Sequence, residues 1–279
     1  MRDQVRYPPS RVMLASLMHD RIIPSLVGNR KFAGTKLTAD VAAPEFIVSK
    51  ADIGKVVVHL RRGDETRAIA TVESLMFSGC SALQLYLEVL TLAARDLGEM
   101  WCADECSFGD VTLALASLHK IAGRYCNHLE QEVPQVTGMN SAFVAAVPGQ
   151  THIFGATMLE IFFRAAGWNT AISLDESEAS IATHLAAEHY DIVCLSAAHD
   201  EDVDLCKRLI RKIRTVSLNR DIHILVGGRP FNERPSFTSA VGADETASNA
   251  LAALETASRI CGLKQLSNSN TRSGEQAGL

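Results

Sequence analysis

The sequence predicts a chain of two parts, an N-terminal four-helix bundle followed by a Rossmann-like (flavodoxin-like) α/β domain with a parallel sheet. Apolar residues recur at helical spacing between residues 49 and 132, whereas short apolar strands alternate with amphipathic helices between residues 139 and 262. A length of 279 residues, of which 47% are hydrophobic, is sufficient for the cores of two ordinary domains.

Polar capping residues divide the first part into four predicted helices. The second, third and fourth helices open at Asp64, Ser81 and Ser107, and the fourth is expected to end at Leu129. Since the loops between them are short, we expect an up-and-down bundle. The stretch EQEVPQVTG, residues 130–138, is interpreted as the linker to the second part.

The second part alternates between strands and helices, which predicts right-handed βαβ crossovers and a parallel sheet covered on both faces. A shorter strand or turn is also expected near residues 239–242. The expected strands are residues 142–147, 169–173, 191–195 and 222–226, and the expected helices are residues 157–166, 177–188, 202–216 and 246–261.

Both ends of the chain differ from the two domains in composition. Residues 1–48 contain seven Arg or Lys and four Asp or Glu, a net charge of +3, and four prolines. We interpret this segment as a flexible basic arm, foremost a disordered leader, with docking on a partner or on DNA phosphate as the alternative. The polar tail, residues 263–279, is predicted to be disordered.

Charge and cysteine content exclude several classes of protein. A net charge of -5 disfavours a dedicated nucleic-acid binder, which needs an excess of Lys and Arg. The N-terminus lacks the apolar core of a signal peptide, and no segment is long enough to span a membrane. A cytoplasmic protein with reduced thiols is therefore expected, since its cysteines lack CxxC spacing: Cys80, Cys102, Cys106, Cys126, Cys194, Cys206 and Cys261.

Three loops that follow predicted strands carry unusual residues. They are GQTHIFG (residues 149–155), SAA (residues 196–198) and the pair Gly227-Gly228. In an open parallel sheet, ligands bind outside the carboxyl ends of the strands, where such loops meet. The sequence therefore predicts one ligand site formed by these three loops.

The three loops resemble the cobalamin-binding domain of methionine synthase, corrinoid proteins and mutases, whose signature is DxHxxG, then SxL, then GG. His152 and Gly155 are in register with it, and 40 residues separate Gly155 from Ser196. A further 28 residues separate Ala198 from Gly227. The resemblance implies that His152 is an axial ligand of cobalt and that the glycines leave room for the nucleotide base it displaces.

Two positions depart from this signature. Gln150 stands where the family has Asp, so it can accept a hydrogen bond from His152 but brings no charge that would raise the basicity of the imidazole. Ala198 replaces the Leu of SxL. Enzymes that cycle cobalt through several oxidation states use the Asp-His pair, so we expect a protein that is not an enzyme and has no catalytic residues.

The bundle carries a second resemblance. The stretch LGEMWCADECSFGDVT resembles the helical cap of methionine synthase and of light-sensing repressors of carotenoid genes, which implies that Trp101 lies near the upper ligand of cobalt. Val111 and Thr112 stand where adenosylcobalamin photoreceptors have a Glu-His pair, which favours the hydroxo or aquo form of cobalamin. His119, on the fourth helix, is the candidate upper ligand.

Together, the two resemblances define a set of implied cofactor-binding residues. The set contains Gln150, Thr151, His152, Ile153, Phe154, Gly155, Ser196, Ala197, Ala198, Gly227, Gly228 and Trp101.

Over about residues 50–260 the chain most closely resembles the AerR/PpaA antirepressors of purple photosynthetic bacteria. The resemblance implies a light- or redox-responsive regulator that binds cobalamin and antagonises a DNA-binding repressor of the CrtJ/PpsR kind, with indirect or weak DNA contact and no membrane partner. It leaves the oligomeric state open. Two alternatives remain: a haem-binding sensor on the same scaffold, and a corrinoid carrier protein of a methyltransferase system.

Overall fold

The computed structural model describes residues 46–136, 139–149, 152–174 and 177–275, with side chains described as far as residue 262. The expected arm lies outside the described residues except for residues 46–48. Gln150 and Thr151, two of the implied cofactor-binding residues, also lie outside them.

Helices alone make up the first part of the described chain, and their caps explain their boundaries. Side-chain oxygens of Asp64, Ser81 and Ser107 accept the backbone N–H three residues further on, as the sequence predicts. A π-helical segment, Leu85–Leu90, joins the helices Ala82–Gln84 and Thr91–Cys102 into one continuous rod. The helices are α1 (Lys50–Arg61), α2 (Glu65–Phe77), α3 (Ala82–Gln84), α4 (Thr91–Cys102) and α5 (Phe108–Glu132).

Polar contacts attach α5 to the helices that precede it. The Glu132 carboxylate accepts hydrogen bonds from the backbone N–H groups of Ala82 and Leu83, at 3.0 and 2.8 Å, and so caps the start of α3. Lys120 forms an ion pair with Glu65 at 2.9 Å. The contact made by Glu132 explains why α5 continues past Leu129, the end expected from the sequence.

The second part is a five-stranded parallel sheet in the order β2-β1-β3-β4-β5, the order of a flavodoxin-like fold. This confirms the predicted Rossmann-like architecture. The strands are β1 (Ser141–Ala146), β2 (Asn169–Ser173), β3 (Ile192–Ser196), β4 (His223–Gly227) and β5 (Glu245–Ala247), and the helices are α6 (Phe154–Ala165), α7 (Glu178–Ala187), α8 (Asp202–Val216), α9 (Arg229–Glu233), α10 (Phe237–Val241) and α11 (Ala250–Glu275).

The last third of the sheet domain differs from the sequence prediction. Residues 237–241 form a helix rather than a strand or turn. Thr246 lies in β5 rather than in the final helix, because it pairs with Val226 of β4 and donates its hydroxyl to the Val226 carbonyl at 2.9 Å. The final helix runs on to Glu275, into the tail predicted to be disordered, since no proline interrupts it.

One apolar core joins the helical part to the sheet. Alternate residues of the strands face opposite sides, so Val144 and Cys194 face α6 and α11, whereas Phe143 and Val193 face α7 and α8. The apolar cluster on the side of the sheet that faces α6 and α11 is continuous with the core of α1 to α5. At the junction the rings of Tyr86 and Phe162 meet edge to face, with centroids 5.9 Å apart.

The connection between the two parts is also packed. Val133 is buried, and the backbone N–H of Val136 donates to the Ala166 carbonyl at 3.0 Å. Gln135 donates to the Ala165 carbonyl at 2.8 Å. These contacts hold the segment after α5 against the end of α6, so the described part of the predicted linker fixes how the two parts are placed. No helix among the described residues is long and apolar enough to cross a membrane.

The reactivity of the buried cysteines tests the packing on both faces of the sheet. Burial raises the pKa of Cys80, Cys194 and Cys206 to about 12, so at pH 8 only about one in ten thousand of these thiols is ionised. We expect iodoacetamide at pH 8 to modify the exposed Cys102 in minutes and to leave these three unmodified, as measured by mass spectrometry of peptides. In concentrated urea they should react as Cys102 does. Modification of Cys194 in the folded protein at the rate of Cys102 would contradict the packing.

Candidate cofactor site

The three loops singled out in the sequence meet at the carboxyl end of the sheet. The sheet reverses its strand order between β1 and β3, which is where ligands bind in doubly wound folds. Backbone hydrogen bonds connect the loops: Val147 N–H donates to the Ser196 carbonyl and Ala197 N–H donates to the Gly227 carbonyl, both at 3.0 Å. The loops therefore form one continuous rim.

A cavity of about 930 Å³ opens at this rim and lies between the loops and the helical part. Its inner end reaches Phe162, Cys194 and Leu225, so it passes from the rim into the space between the sheet and α6. Its other wall belongs to the rod formed by α3 and α4. The helical residues of that wall are Leu87, Thr91, Ala94, Arg95, Gly98, Glu99 and Cys102.

These helical residues were missed by sequence reasoning. They are spaced three or four positions apart, and this spacing places them on one face of a helix. The spacing was visible in the sequence, but it does not distinguish a cavity wall from a core face. Only the packing of the rod against the sheet shows that this face borders a cavity.

Glycine keeps the rim narrow at two places. Gly228 has a φ of +104°, and a Cβ atom there would collide with the carbonyl oxygen of Ala197. A Cβ atom on Gly155 would lie 3.3 Å from the Ser196 hydroxyl, so the first and second loops approach each other closely at that point. Both glycines line the cavity.

His152 lies at the mouth of the cavity with its ring exposed. Desolvation and the neighbouring His199 hold the pKa of His152 below its usual range, while Asp202 acts in the opposite direction. The imidazole is therefore neutral at pH 7, the form that can donate a nitrogen lone pair to a metal.

Trp101 lies beside His152 across the mouth. The two ring centroids are 6.3 Å apart, and the planes are inclined by 39°. Phe108 extends this aromatic contact, with its ring centroid 6.2 Å from that of Trp101. The structure therefore places Trp101 next to the implied ligand, although its side chain flanks the cavity rather than lining it.

His119, the candidate upper ligand, is not among the residues that line the cavity. Its Nδ1 is 2.8 Å from the carbonyl oxygen of Leu115, and its ring packs edge to face on Phe154 with centroids 5.0 Å apart. Phe154 lines the cavity, so His119 lies one side chain behind its wall. Its role as an upper ligand stays a prediction.

The remaining implied residues surround the rim. Phe154, Ser196, Ala197, Ala198 and Gly227 line the cavity. Ile153 precedes α6 and packs into the core instead. His199, which the sequence gave no reason to select, also lines the cavity, with its ring centroid 4.7 Å from that of His152.

Comparison with known proteins agrees with this arrangement. Residues 140–255 match the family model of the B12 binding domain. This match supports a cobalamin-binding protein. The residues present fit such a cofactor, since an imidazole that could bind a metal lies at the mouth and a deep, largely apolar cavity that could hold a nucleotide tail lies behind it.

A curated relative and a solved structure extend the likeness beyond this domain. The chain is 23% identical over 157 residues to the uncharacterized 20.5 kDa protein in the bchF-crtJ intergenic region of Rhodobacter capsulatus, which covers 54% of this chain and 79% of that protein. It also superposes on the Methanosarcina barkeri monomethylamine corrinoid protein with a TM-score of 0.63 and 17% identity, over 76% of this chain and all of the other. The second likeness shows a shared fold.

The glycine rim can be tested through stability. We expect Gly228→Ala to destabilise the protein by about 2 kcal/mol or more, because the new Cβ would meet the Ala197 carbonyl in a backbone conformation that strains side chains. Urea unfolding measures the difference. Gly54→Ala is the matched control, since nothing lies within 4 Å of its Cβ position, and there we expect a gain of up to about 1 kcal/mol. Equal stabilities for the two variants would contradict the rim geometry.

Proposed function

We propose that this protein is a cobalamin-dependent sensor that regulates transcription without catalysing a reaction. One observation carries the proposal: the cavity has one wall from the B12 binding domain and one from the helical part. A group bound there contacts both parts at once, so its chemical state can change how they are placed relative to each other.

The residues at the rim have separate roles in this proposal. The neutral His152 holds the cofactor from below, while Ser196 and the glycines of the third loop accept its nucleotide tail. When bound, cobalamin supplies a light-absorbing cobalt centre with an exchangeable upper ligand. The wall formed by α3 and α4 would contact a cofactor held by His152, through polar lining residues that include Arg95, Glu99 and Cys102.

The contact between Trp101 and His152 supports a change of conformation on binding. The two ring centroids are 6.3 Å apart across the mouth, so the indole occupies part of the space beside the implied nitrogen donor. A cofactor that binds through His152 would change this contact. Because Trp101 lies at the end of α4, the same helix that lines the cavity, its movement would be passed to the helical part.

The proposed partner is a DNA-binding repressor of the CrtJ/PpsR kind, whose action this protein would antagonise in response to light or redox state. The relative in Rhodobacter capsulatus supports this, because its printed name places it between bchF and crtJ. The charge of the chain agrees with a protein partner: the total of -5 minus the +3 of residues 1–48 leaves -8 for residues 49–279. An acidic body favours contact with DNA that is indirect or weak.

The glycine rim distinguishes cobalamin from haem, the alternative cofactor. Haem has no nucleotide tail, so it would leave unused the inner end of the cavity, which passes the glycine rim and reaches Phe162 and Leu225. Purified protein offered both cofactors should therefore take up hydroxocobalamin. A stoichiometric Soret band without cobalamin uptake would identify a haem sensor instead.

A corrinoid carrier for a methyltransferase is the second candidate function. The fold shared with the monomethylamine corrinoid protein, over the whole of that chain, favours it. The two functions differ in chemistry, since a carrier must be methylated by a partner enzyme after reduction, whereas a sensor need not be. Rapid methyl transfer to and from the reduced protein would establish the carrier function.

Ligation by His152 is tested by substitution. With hydroxocobalamin, the wild-type protein should show an absorption spectrum with a protein imidazole on cobalt, and His152→Ala should lose that spectrum and bind the cofactor at least tenfold more weakly. His189→Ala is the matched control, because His189 lies at the other end of β3 and is exposed. Equal uptake and equal spectra for wild type and His152→Ala would contradict the assignment.

The regulatory role is tested with a CrtJ/PpsR-type repressor on its operator DNA. We expect the cofactor-loaded protein to weaken repressor binding to DNA, with a difference between dark and blue light, because the upper ligand of cobalt exchanges under illumination. Fluorescence anisotropy of labelled operator measures the effect. The cofactor-free protein and the loaded His152→Ala variant are the controls. An identical effect from all three samples would show that the cofactor does not control the interaction.

A further inference from the structure

His199 has a position that the proposed function does not use. It follows β3 in the sequence, yet its ring meets the ring of His152 edge to face, at 77° and 4.7 Å between centroids. Its side chain is 43% exposed, so it is not placed there by core packing. Two imidazoles from different loops thus lie side by side at the mouth of the cavity.

Asp202 holds the loop that carries His199. Its carboxylate is almost fully buried, and Oδ2 accepts the backbone N–H groups of Ala198 and His199 at 3.0 and 2.8 Å. The same oxygen lies 3.9 Å from His199 Nδ1. The backbone of residue 199 is therefore fixed, and one nitrogen of its ring is directed toward a carboxylate while the ring edge faces His152.

A metal-binding histidine needs a partner for its second ring nitrogen. That partner fixes the orientation of the ring and increases its basicity, and a carboxylate is the usual choice. Here Gln150 stands at the position where the resemblance implies Asp, so the first loop supplies no charge. The charge of the Asp202 carboxylate acts on His152, and His199 is in contact with both residues.

We propose that His199 is a positioning residue for His152: its ring accepts the N–H of the non-ligating nitrogen of His152, and Asp202 orients His199 in turn. This inference rests on the proposed function, in which His152 is the axial ligand. The two ring centroids are 4.7 Å apart, so a change of side-chain rotamer is enough to bring a nitrogen of each ring within hydrogen-bonding distance of the other. The carboxylate then acts on the ligand through the ring of His199 rather than directly.

This arrangement has a chemical consequence for the site. An imidazole partner raises the basicity of His152 less than a carboxylate would, so the bond from His152 to the metal is weaker than in an Asp-His pair. A weaker lower ligand suits a site that exchanges its upper ligand and does not cycle through several oxidation states. The residues that would control the bond between His152 and the metal then lie in the loop after β3 and at the start of α8.

Two substitutions separate hydrogen bonding from packing. His199→Gln keeps a hydrogen-bond acceptor and removes the ring, whereas His199→Phe keeps the ring and removes both nitrogens. The full-length protein, produced with 15N-labelled histidine, is loaded with hydroxocobalamin and reduced chemically by one electron. Its EPR spectrum is recorded for the 15N hyperfine splitting, which distinguishes the protein imidazole from the nitrogen of the cofactor's own base. Affinity is measured by absorption titration, and folding by thermal denaturation.

We expect His199→Phe to bind hydroxocobalamin roughly tenfold more weakly and to give a mixture of spectra with and without the nitrogen splitting. His199→Gln should remain close to wild type in both measurements. Full splitting and unchanged affinity in His199→Phe would overturn the proposal, as would loss of both in His199→Gln with retention in His199→Phe, because packing would then be the cause. A stronger effect of Gln150→Ala than of His199→Phe would assign the role to Gln150.

The proposed function fails in a different way. If His152 is not the ligand, His152→Ala leaves the nitrogen splitting of the wild type unchanged, and no variant at residue 199 needs to be considered. If His199 is itself the ligand, His199→Gln and His199→Phe both lose the splitting completely while His152→Ala retains it. Either result overturns the inference on its own evidence.

Discussion

The continuous apolar core between the helical part and the sheet is the constraint on which the site depends. Tyr86 and Phe162 meet at its centre, and such an edge-to-face pair contributes about 0.5–1.5 kcal/mol beyond the area it buries. The Tyr86 hydroxyl also donates to the Ala122 carbonyl, which connects the rod of α3 and α4 to α5. Because this core fixes the rotation of the rod about its axis, it decides which helical face borders the cavity.

The rim of the cavity depends on a second constraint, the absence of side chains where loops approach. Gly155 lies against Ser196, and Gly228 lies against Ala197, so each of the three loops touches the next through backbone or a small side chain. A cofactor tail can enter only where the loops leave space, and here that space continues into the apolar interior beside Phe162. The same close approach makes the rim rigid, since the loops are joined by backbone hydrogen bonds.

The mouth of the site combines a rigid rim with side chains that have to rearrange. His152 is neutral, exposed and in contact with Trp101, a residue of the helical part. Its other neighbour, His199, is anchored through Asp202. In the proposed function, a cofactor bound at His152 would change the contact with Trp101, and this change would connect occupancy of the cavity to the position of α4.

Much of this architecture was predictable from the sequence. The capping residues Asp64, Ser81 and Ser107 begin helices as expected, and the strand Asn169–Ser173 has the predicted bounds. These are local signals: a cap is a contact across three residues, and a buried strand is a short apolar run. The spacing of the three loops was also readable, because the length of each βαβ unit fixes which loops come together at the carboxyl end of the sheet.

The tertiary structure alone decided how side chains from distant segments meet. It placed His199 against His152 and His119 against Phe154, and it made one face of the rod into a cavity wall. It also converted the start of the expected final helix into β5, since pairing with β4 outweighs local helical preference at Thr246. The sequence by itself determined the elements and the loops that bear the site. The rotation of each helix about its own axis came from packing. Local sequence signals do not fix this rotation, so it is set by the core that the helix shares with other elements.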